Sequence, residues 1–279
     1  MKHIPTIYKI EDLRFSYAIG NGKKGDAQSA DQFQLGPIDL SIKKGKMTSI
    51  LGRSGSGKTT LLSLIGLLRQ HEHGKIFIDL NESIDIKNLW KCNRDIENFR
   101  ANHLGFALQR GELLPYLSVY ENAALVSRFL NRTNEELDHS INGLFDSFYS
   151  REKSDNLLAQ VLNNKPLNVS QGQYQRAAVV RALANDPDIL LADEPTGNLD
   201  KESGEEAMGI FQDIVRMNPD KSVIVVTHDQ KLAADFADEI ITLKNGLVST
   251  IFSRDEEGWV SEGKRIEDKK IVKRIYNAL

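Results

Sequence analysis

A glycine-rich segment carries residue types that hold phosphate groups. It reads Gly-Arg-Ser-Gly-Ser-Gly-Lys-Thr from Gly52 to Thr59, and it fits the P-loop pattern G-x-x-x-x-G-K-[ST]. Glycines let successive backbone N–H groups curl around phosphate oxygens, because a Cβ would obstruct the approach. Lys58 supplies a positive charge for the β- and γ-phosphates, and the Thr59 hydroxyl is placed to bind Mg²⁺. We therefore predict a site for a nucleoside triphosphate.

Two carboxylates follow an apolar run in the last third of the chain. The run Ile189-Leu-Leu-Ala192 is followed by Asp193 and Glu194. Ligands of open α/β sheets bind at the carboxyl ends of the strands. There Asp193 suits an indirect or water-mediated hold on Mg²⁺, and Glu194 can orient a water that attacks the γ-phosphate. The alternative is that the two acids only cap the next helix.

The elements that would position these groups alternate between strand and helix. The glycine-rich turn lies between a short apolar strand, Met47–Leu51, and a helical run, Thr59–Leu68. Residues 113–183 show helical spacing with hardly any strand signal. The other predicted strands lie at 7–17, 35–42, 189–192, 223–226, 238–243 and 247–252, the last two joined by an Asn-Gly turn. The pattern predicts an α/β core that is interrupted by a helical insertion.

The composition excludes several classes of protein. The 279 residues include 36 Lys and Arg against 39 Asp and Glu, a net charge of -3, which disfavours a broad basic face that coats nucleic acid. No apolar stretch approaches the roughly 18 to 20 residues of a membrane span, and the amino terminus has no signal-peptide h-region. Cys92 is the only cysteine, so an internal disulfide is excluded and a cysteine-based zinc site is disfavoured. We expect a soluble α/β protein of a reducing compartment.

In their order along the chain, these motifs resemble those of the ATPase subunits of ATP-binding cassette (ABC) transporters. The resemblance extends over about residues 7–252. It implies an α/β fold with a P-loop NTPase core, an N-terminal antiparallel β subdomain and an inserted α-helical subdomain. We expect an ABC ATPase domain at residues 4–252, with the helical insertion at about 113–183, and ATP and Mg²⁺ as cofactors.

The resemblance also assigns roles to single residues. Gln109 is similar to the family's Q-loop glutamine, which touches Mg²⁺ and relays contact to a membrane subunit. His228 resembles the switch histidine, which senses the γ-phosphate, and Asp200 lies in a segment that resembles the D-loop. Tyr17 resembles the aromatic residue that stacks on adenine, with Phe15 as the alternative.

The implied site residues form three sets. The catalytic set is Glu194, His228 and Lys58. The metal-binding set is Thr59, Gln109 and Asp193. The nucleotide-binding set is Tyr17, Gly52, Arg53, Ser54, Gly55, Ser56, Gly57, Lys58, Thr59, Thr60, Gln109, Ser170, Gln171, Gly172, Gln173 and Asp200.

A second anion-binding segment resembles the family's signature motif, usually written L-S-G-G-Q. It reads Val169-Ser-Gln-Gly-Gln173, so Val169 replaces the leading Leu and Gln171 replaces the first Gly. A helix that begins here offers a free N-terminus and a hydroxyl to an anion. One chain needs only one such device to bind ATP, so the second is explained if it clamps the γ-phosphate held by another copy. We expect an isologous homodimer with two ATP molecules at its interface.

The string Ala192-Asp-Glu-Pro-Thr-Gly-Asn-Leu-Asp200 resembles the ABC subgroup that serves lipoprotein-releasing, macrolide-exporting and cell-division complexes. This resemblance implies an ATP-hydrolysing subunit that drives separate integral-membrane permease subunits, by export or mechanotransmission, and a periplasmic or envelope partner. It implies a peripheral position at the cytoplasmic face of the inner membrane. The alternative is an ABC ATPase without a transporter that acts on nucleic acid or ribosomes. The chain shows neither the long coiled-coil insertion nor the basic tracts of that class, and we expect no nucleic-acid partner.

Residues 253–279 form a charged extension beyond the shared pattern. Ile271, Ile275 and Leu279 recur at a spacing of four residues, which favours a helical extension that packs on the domain or on a partner. A regulatory tail and a membrane-surface anchor are the alternatives, although the apolar stripe is narrow for membrane binding.

Overall fold

The computed structural model describes residues 5–18, 32–108, 113–130, 133, 135, 141–145, 160–197 and 199–279. The chain forms two compact units. The first comprises Met1–Lys44, Thr48–Ile96 and His228–Leu279, and the second comprises Gly45–Met47 and Glu97–Thr227. Among the helices of the described residues, none is long and apolar enough to cross a membrane.

Strands and helices alternate along most of the described chain. The strands are β1 (Thr6–Ala18), β2 (Gln32–Lys43), β3 (Met47–Gly52), β4 (His73–Asp79), β5 (Ser83–Asp85), β6 (Leu104–Ala107), β7 (Ile189–Asp193), β8 (Ser222–Thr227), β9 (Glu239–Lys244), β10 (Leu247–Asp255), β11 (Gly258–Ser261) and β12 (Lys264–Ile266). The α-helices are α1 (Lys58–Ile65), α2 (Asn93–His103), α3 (Val119–Phe129), α4 (Gln171–Leu183), α5 (Lys201–Met217), α6 (Gln230–Phe236) and α7 (Asp268–Ala278). Short 3₁₀ helices occupy Ile86–Lys91 and Pro166–Asn168, and helical turns occur at 141–145 and 160–163.

The first unit contains an antiparallel sheet with the strand order β2-β1-β4-β5. Tyr8 on β1 is fully buried, and its hydroxyl donates to the carbonyl oxygen of Ile65 at a distance of 3.0 Å. Burial raises the pKa of the Tyr8 hydroxyl far above its usual value, because the charged phenolate would lose its hydration. Since Ile65 is the last residue of α1, this bond ties the antiparallel sheet to the end of the helix that follows the glycine-rich turn.

The first unit also contains a mixed sheet in which the strands follow the order β12-β11-β10-β9-β3. β3 is buried along its whole length and pairs with β9 in parallel, from Thr48 opposite Glu239 to Gly52 opposite Leu243. β9 and β10 form the predicted hairpin, and Asn245 and Gly246 have positive φ angles of 51° and 78° at its turn.

The carboxyl-terminal extension is mainly a continuation of this sheet. β10 continues through Asp255, and β11 and β12 pair in antiparallel fashion beyond it. The expectation of a helical extension is therefore wrong for residues 253–266, which form paired strands and the turns between them, with Trp259 on β11 fully buried. A helix is present only at α7, where Ile271 and Ile275 are buried as their spacing predicted.

The second unit contains the parallel strands β8, β7 and β6, in that order. β8 is fully buried and β7 is buried over Ile189–Ala192, which explains their continuous apolar sequences. Between residues 113 and 183 the described residues form helices and turns and no strand. These elements enclose a separate buried cluster that comprises Leu113, Val119, Ala123, Ala124, Ile141, Phe145, Val161, Ala177, Ala178, Val180 and Ala184.

Candidate nucleotide-binding and active site

The glycine-rich turn connects β3 to α1 in the first unit. Gly55 and Gly57 have left-handed φ angles of 77° and 101°, and Gly57 is the N-cap of α1 with no side-chain cap. The first N–H groups of a helix lack intrahelical partners and favour an anion. A Cβ built on Gly55 would meet nothing within 4 Å, so the loop leaves room above it. The uncapped start of α1 fits a phosphate group.

Two buried polar side chains accompany this loop. Lys58 is 9% exposed, and its ammonium donates to the carbonyl oxygens of Gly52 at 2.9 Å and Arg53 at 3.3 Å. Ser56 Oγ is buried and has no hydrogen-bond partner in the described part of the chain. A buried polar group without a partner is costly unless a ligand satisfies it. The unpartnered Ser56 hydroxyl therefore fits a loop that receives phosphate, and the Lys58 ammonium adds a positive charge beside it.

The hydroxyl residues after Lys58 lie on the first turn of α1. Thr59 is exposed and Thr60 is half-buried, while Arg53 and Ser54 are exposed on the loop. The Thr59 side chain is therefore accessible to a metal ion that is bound to a phosphate on this loop.

An aromatic group packs against the start of α1. Tyr17 on β1 lies opposite Phe33 on β2, with ring centroids 5.2 Å apart. A Cβ built on Gly57 would lie 3.0 Å from Phe33 Cζ and 2.6 Å from Leu35 Cδ1. Tyr17 is 40% exposed, so an accessible ring lies beside the residue that contacts the glycine-rich loop. Phe15, the alternative, has its ring centroid 6.2 Å from that of Tyr17.

His228 shares a cleft with the glycine-rich loop. It is exposed and directly follows β8, and Asp229 caps the next helix, α6. The cleft has a volume of about 480 Å³ and is lined by Gly52, Arg53, His228, Gln230, Lys244, Tyr276, Asn277 and Leu279. Within the first unit, the structure therefore brings together the predicted switch histidine and the beginning of the loop.

In the second unit, β7 ends at Asp193, and Glu194 follows it directly. Glu194 has a positive φ of 47°, and its N–H donates to the carbonyl oxygen of Val226 at 2.8 Å. A left-handed backbone is unfavourable for a non-glycine residue and is typical of functional positions. The next helix, α5, is capped by Asp200. Neither Asp193 nor Glu194 serves as a helix cap, so that alternative is wrong.

The signature-like segment begins α4 with a capping box. Ser170 Oγ accepts from the N–H of Gln173 at 3.2 Å, and Gln173 Oε1 accepts from the N–H of Ser170 at 3.0 Å. Both side chains therefore stabilise the start of the helix, and the Ser170 hydroxyl, which only accepts in this capping box, keeps its proton for donation to an anion. Gln171 is exposed, and a Cβ built on Gly172 would meet nothing within 4 Å, so an approach to the backbone at Gly172 stays open.

Asp200 anchors the start of α5. Its carboxylate accepts from the N–H of Ser203 at 3.0 Å and from the Ser203 hydroxyl at 2.9 Å. These bonds hold the pKa of the Asp200 carboxyl below its usual value, because they stabilise the charged form. Gln109, the predicted Q-loop residue, lies outside the described residues.

A model of the ABC transporter family matches residues 35–197. The chain belongs to the ABC transporter family. Its fold class, an ABC ATPase with an antiparallel β subdomain and a helical part, is confirmed by solved structures of ABC cassettes. In one of them, the dimeric MJ0796 cassette of Methanocaldococcus jannaschii, the match has a TM-score of 0.73 and 33% identity, and it covers 88% of this chain and 98% of that one. A second structure of this cassette is described as a post-hydrolysis state bound to ADP and Pi.

Curated ABC relatives agree with the predicted subgroup. The lipoprotein-releasing system ATP-binding protein LolD of Desulfotalea psychrophila is 36% identical over 248 residues, which cover 86% of this chain and 97% of LolD. The macrolide export ATP-binding/permease protein MacB of Shewanella sp. (strain ANA-3) is 37% identical over 221 residues, which cover 77% of this chain. The chain spans only 30% of the length of MacB. These matches confirm the predicted resemblance and an ATPase of the ABC type.

Several residues near the glycine-rich loop of this ABC chain carry no sequence signal for the site. Phe33 is the cross-strand partner of Tyr17, but 15 residues separate the two in sequence and no local signal indicates which residues of β1 and β2 pair. Tyr276 and Asn277 had no sequence signal, because they reach the cleft only through the packing of α7.

Proposed function

We propose that this chain is the ATP-binding and ATP-hydrolysing subunit of an ABC membrane complex. The observation that carries the proposal is the uncapped start of α1, where Gly57 leaves helix N–H groups available next to the buried Lys58 ammonium. This combination offers a dipole end and a full positive charge to a triphosphate.

In the proposed complex, each part of ATP has its own partner. The adenine ring stacks on Tyr17, which is partly exposed and packs against Phe33, the residue beside Gly57 of the loop. The phosphates bind the loop at residues 52–60, with Lys58 compensating charge on the β- and γ-phosphates. The cradle of backbone N–H groups explains why both Gly55 and Gly57 adopt left-handed conformations.

Mg²⁺ is proposed to be held by Thr59, Asp193 and Gln109. Their hydroxyl, carboxylate and amide oxygens are the hard ligands that this ion prefers. When bound, the ion neutralises charge that develops on the phosphates.

Hydrolysis is proposed to depend on Glu194 and His228. Glu194 accepts a hydrogen bond from the attacking water and orients it, and its backbone bond to Val226 holds the main chain from which the carboxylate extends, directly after β7. His228 binds the γ-phosphate by a hydrogen bond. Catalysis of this kind consists of positioning and electrostatic stabilisation.

The working assembly is proposed to be a homodimer closed by ATP. Ser170, Gln171, Gly172 and Gln173 of one copy form the segment that approaches the γ-phosphate on the loop of the other. The Ser170 hydroxyl proton and the backbone N–H of Gly172 make the contact, because the N–H groups of Ser170 and Gln173 are held in the capping box. The open space at Gly172 supports this approach. The dimeric cassette structures of MJ0796 support the stoichiometry, and Asp200, one residue before α5, is proposed to lie at the same interface.

The membrane partners are proposed from the relatives. One is named an ATP-binding/permease protein and another the ATP-binding protein of a lipoprotein-releasing system. We infer separate permease subunits, a peripheral position at the cytoplasmic face of the inner membrane, and a periplasmic or envelope partner. A net charge of -3 and these relatives speak against a nucleic-acid partner.

The test replaces Glu194 by Gln. We expect Glu194→Gln to bind Mg²⁺-ATP but to hydrolyse it about 100-fold or more slowly, because the water loses its acceptor. Light scattering should then detect a dimer that persists with ATP and dissociates with ADP. Glu202→Gln, an exposed acid on the first turn of α5, is the matched control and should hydrolyse ATP normally. Unchanged hydrolysis by Glu194→Gln would remove Glu194 from the mechanism, and ATP binding without any dimer would contradict the assembly.

A further inference from the structure

The carboxyl-terminal extension packs behind both the glycine-rich loop and the segment of His228. Its side chains share one buried cluster with β3 and α6, made of Leu51, Ala233, Ala234, Ala237, Ile240, Phe252, Trp259, Ile271 and Ile275. Leu51 immediately precedes Gly52, and the alanines lie on or next to α6, which begins two residues after His228. The extension therefore packs against the residues that adjoin the glycine-rich loop and His228.

Arg254 on β10 connects this extension to the end of α6. Its Nη2 donates to the carbonyl oxygen of Ala234 at 2.6 Å, and its Nη1 donates to that of Asp235 at 3.2 Å. The guanidinium also lies over the Trp259 ring, 4.7 Å from the centroid. The last carbonyls of a helix lack intrahelical donors and carry the negative end of its dipole. Arg254 satisfies both needs from a fixed, stacked position.

The other end of α6 is held as well. Asp229 Oδ1 accepts from the N–H groups of Lys231 and Leu232, both at 2.9 Å. Tyr276 and Asn277 in the last turn of α7 line the same cleft as His228 and Gln230. α6 has only seven residues, and isolated helices shorter than about 12 residues are marginal in water. Its geometry therefore depends on what holds its two ends.

We propose that Arg254 is a positioning residue for His228. It acts through α6: the guanidinium fixes the carboxyl end of this short helix, and the helix in turn fixes the place from which His228 reaches the γ-phosphate. The inference rests on the proposed function of His228, and it extends the functional site into residues 253–279. A purely stabilising contact would lower the melting temperature without changing the hydrolysis of bound ATP.

The chain offers a matched control on the same part of the sheet. Arg265 on β12 also holds its guanidinium in a fork, but its partners are Asp255 and Glu257, both outside α6. We expect Arg254→Ala to hydrolyse ATP about tenfold or more slowly with ATP affinity nearly unchanged, because a misplaced group costs turnover rather than binding. Arg265→Ala should match the wild type in both quantities.

A measurement without nucleotide tests the first step directly. Amide hydrogen exchange at residues 230–237 should become faster in Arg254→Ala and stay unchanged in Arg265→Ala, because Arg254 donates to the last carbonyls of α6 whereas the partners of Arg265 lie outside this helix. Arg254→Lys keeps the charge but loses the fork and the stacking on Trp259. We expect this variant to fold even if Arg254→Ala does not, and to show slower hydrolysis at unchanged ATP affinity.

A double-mutant cycle with His228→Ala tests the second step. If Arg254 acts through His228, the double variant should hydrolyse ATP no more slowly than His228→Ala alone. Additive losses would overturn the inference, as would Arg254→Lys with wild-type hydrolysis or Arg254→Ala that behaves like Arg265→Ala. If His228→Ala itself hydrolyses ATP normally, the proposed function of His228 is wrong, and this result is separate from any effect of Arg254 on exchange in α6.

Discussion

Two glycines in the ATP-related motifs are needed for different reasons. Gly57 has a φ of 101°, and a Cβ on it would press on Leu35 and Phe33. Both the backbone and the neighbours therefore exclude a side chain. Gly172 meets nothing within 4 Å, so the folded chain alone does not require glycine there. If the backbone at Gly172 faces the phosphate of another copy, glycine at this position is required by the dimer and not by the fold of one chain.

This contrast gives a prediction at the scale of single residues. We expect Gly57→Ala to lose ATP binding and about 1–3 kcal/mol of stability, since the strained backbone and the close contacts both oppose it. Gly172→Ala should fold and bind ATP normally but dimerise poorly with ATP in a Glu194→Gln background. Urea unfolding, equilibrium ATP binding and light scattering measure the three quantities. Normal ATP affinity in Gly57→Ala, or normal dimerisation in Gly172→Ala, would contradict the respective assignment.

At the scale of elements, the connection between α1 and β4 buries a titratable side chain. His71 is only 8% exposed. Burial lowers the pKa of the His71 imidazole below its usual value, and Asp85, which raises it, opposes this only in part, while Lys87 lowers it further. The unfolded chain therefore binds a proton at His71 at pH values where the folded chain does not.

The sign of the resulting pH dependence follows from linkage. A group that is protonated in the unfolded state but neutral in the folded state makes stability fall as the pH falls below its unfolded pKa. We expect the wild type to lose more stability than His71→Gln between about pH 7 and about pH 5. Urea unfolding across this range measures the difference. His73→Gln is the control, because His73 is exposed on β4, and equal pH profiles for the wild type and His71→Gln would refute the prediction.

Elements with strong local signals could be predicted from the sequence. The β9–β10 hairpin was visible in its Asn-Gly turn, and β7 and β8 in their continuous apolar runs. β11 and β12 were not, because charged residues such as Lys264 and Arg265 stand on exposed positions of short strands at the edge of the sheet. Their apolar residues, Trp259, Val260 and Ile266, do not alternate with polar residues over a length that would indicate a strand.

At the scale of the whole molecule, the candidate site was predictable where one segment contains its chemistry. The loop from Gly52 to Thr59 is one continuous segment, and so is the pair Asp193 and Glu194. The residue types of each segment and the strand before it were sufficient to predict its role. The wall of the cleft was not predictable, because Tyr276 and Arg53 are far apart in sequence and meet only through tertiary packing. The same holds for Arg254, whose partners lie on α6.

The extension also contributes to the folding of the first unit as a whole. Trp259 is fully buried, with a relative exposure to solvent of 0%. Around it lie residues of β3, α6 and α7, so its removal would leave a cavity that no single element can fill. Residues 253–279 are therefore part of the core of this unit rather than an appended tail.

We expect Trp259→Ala to lower the free energy of unfolding by about 3–5 kcal/mol and the melting temperature by roughly 10 °C. Trp259→Phe should lose much less, because it retains an aromatic ring in the same cluster. Trp90→Ala is the control, since Trp90 is half-buried in the 3₁₀ segment before α2 and lies outside this cluster. Calorimetry with and without ATP measures the effect, and a wild-type melting temperature for Trp259→Ala would show that the first unit folds independently of its extension. The cluster includes Leu51, just before the glycine-rich loop, so a change in its packing should weaken ATP binding. The folded Trp259→Ala protein should therefore gain less thermal stability than the wild type from a given ATP concentration.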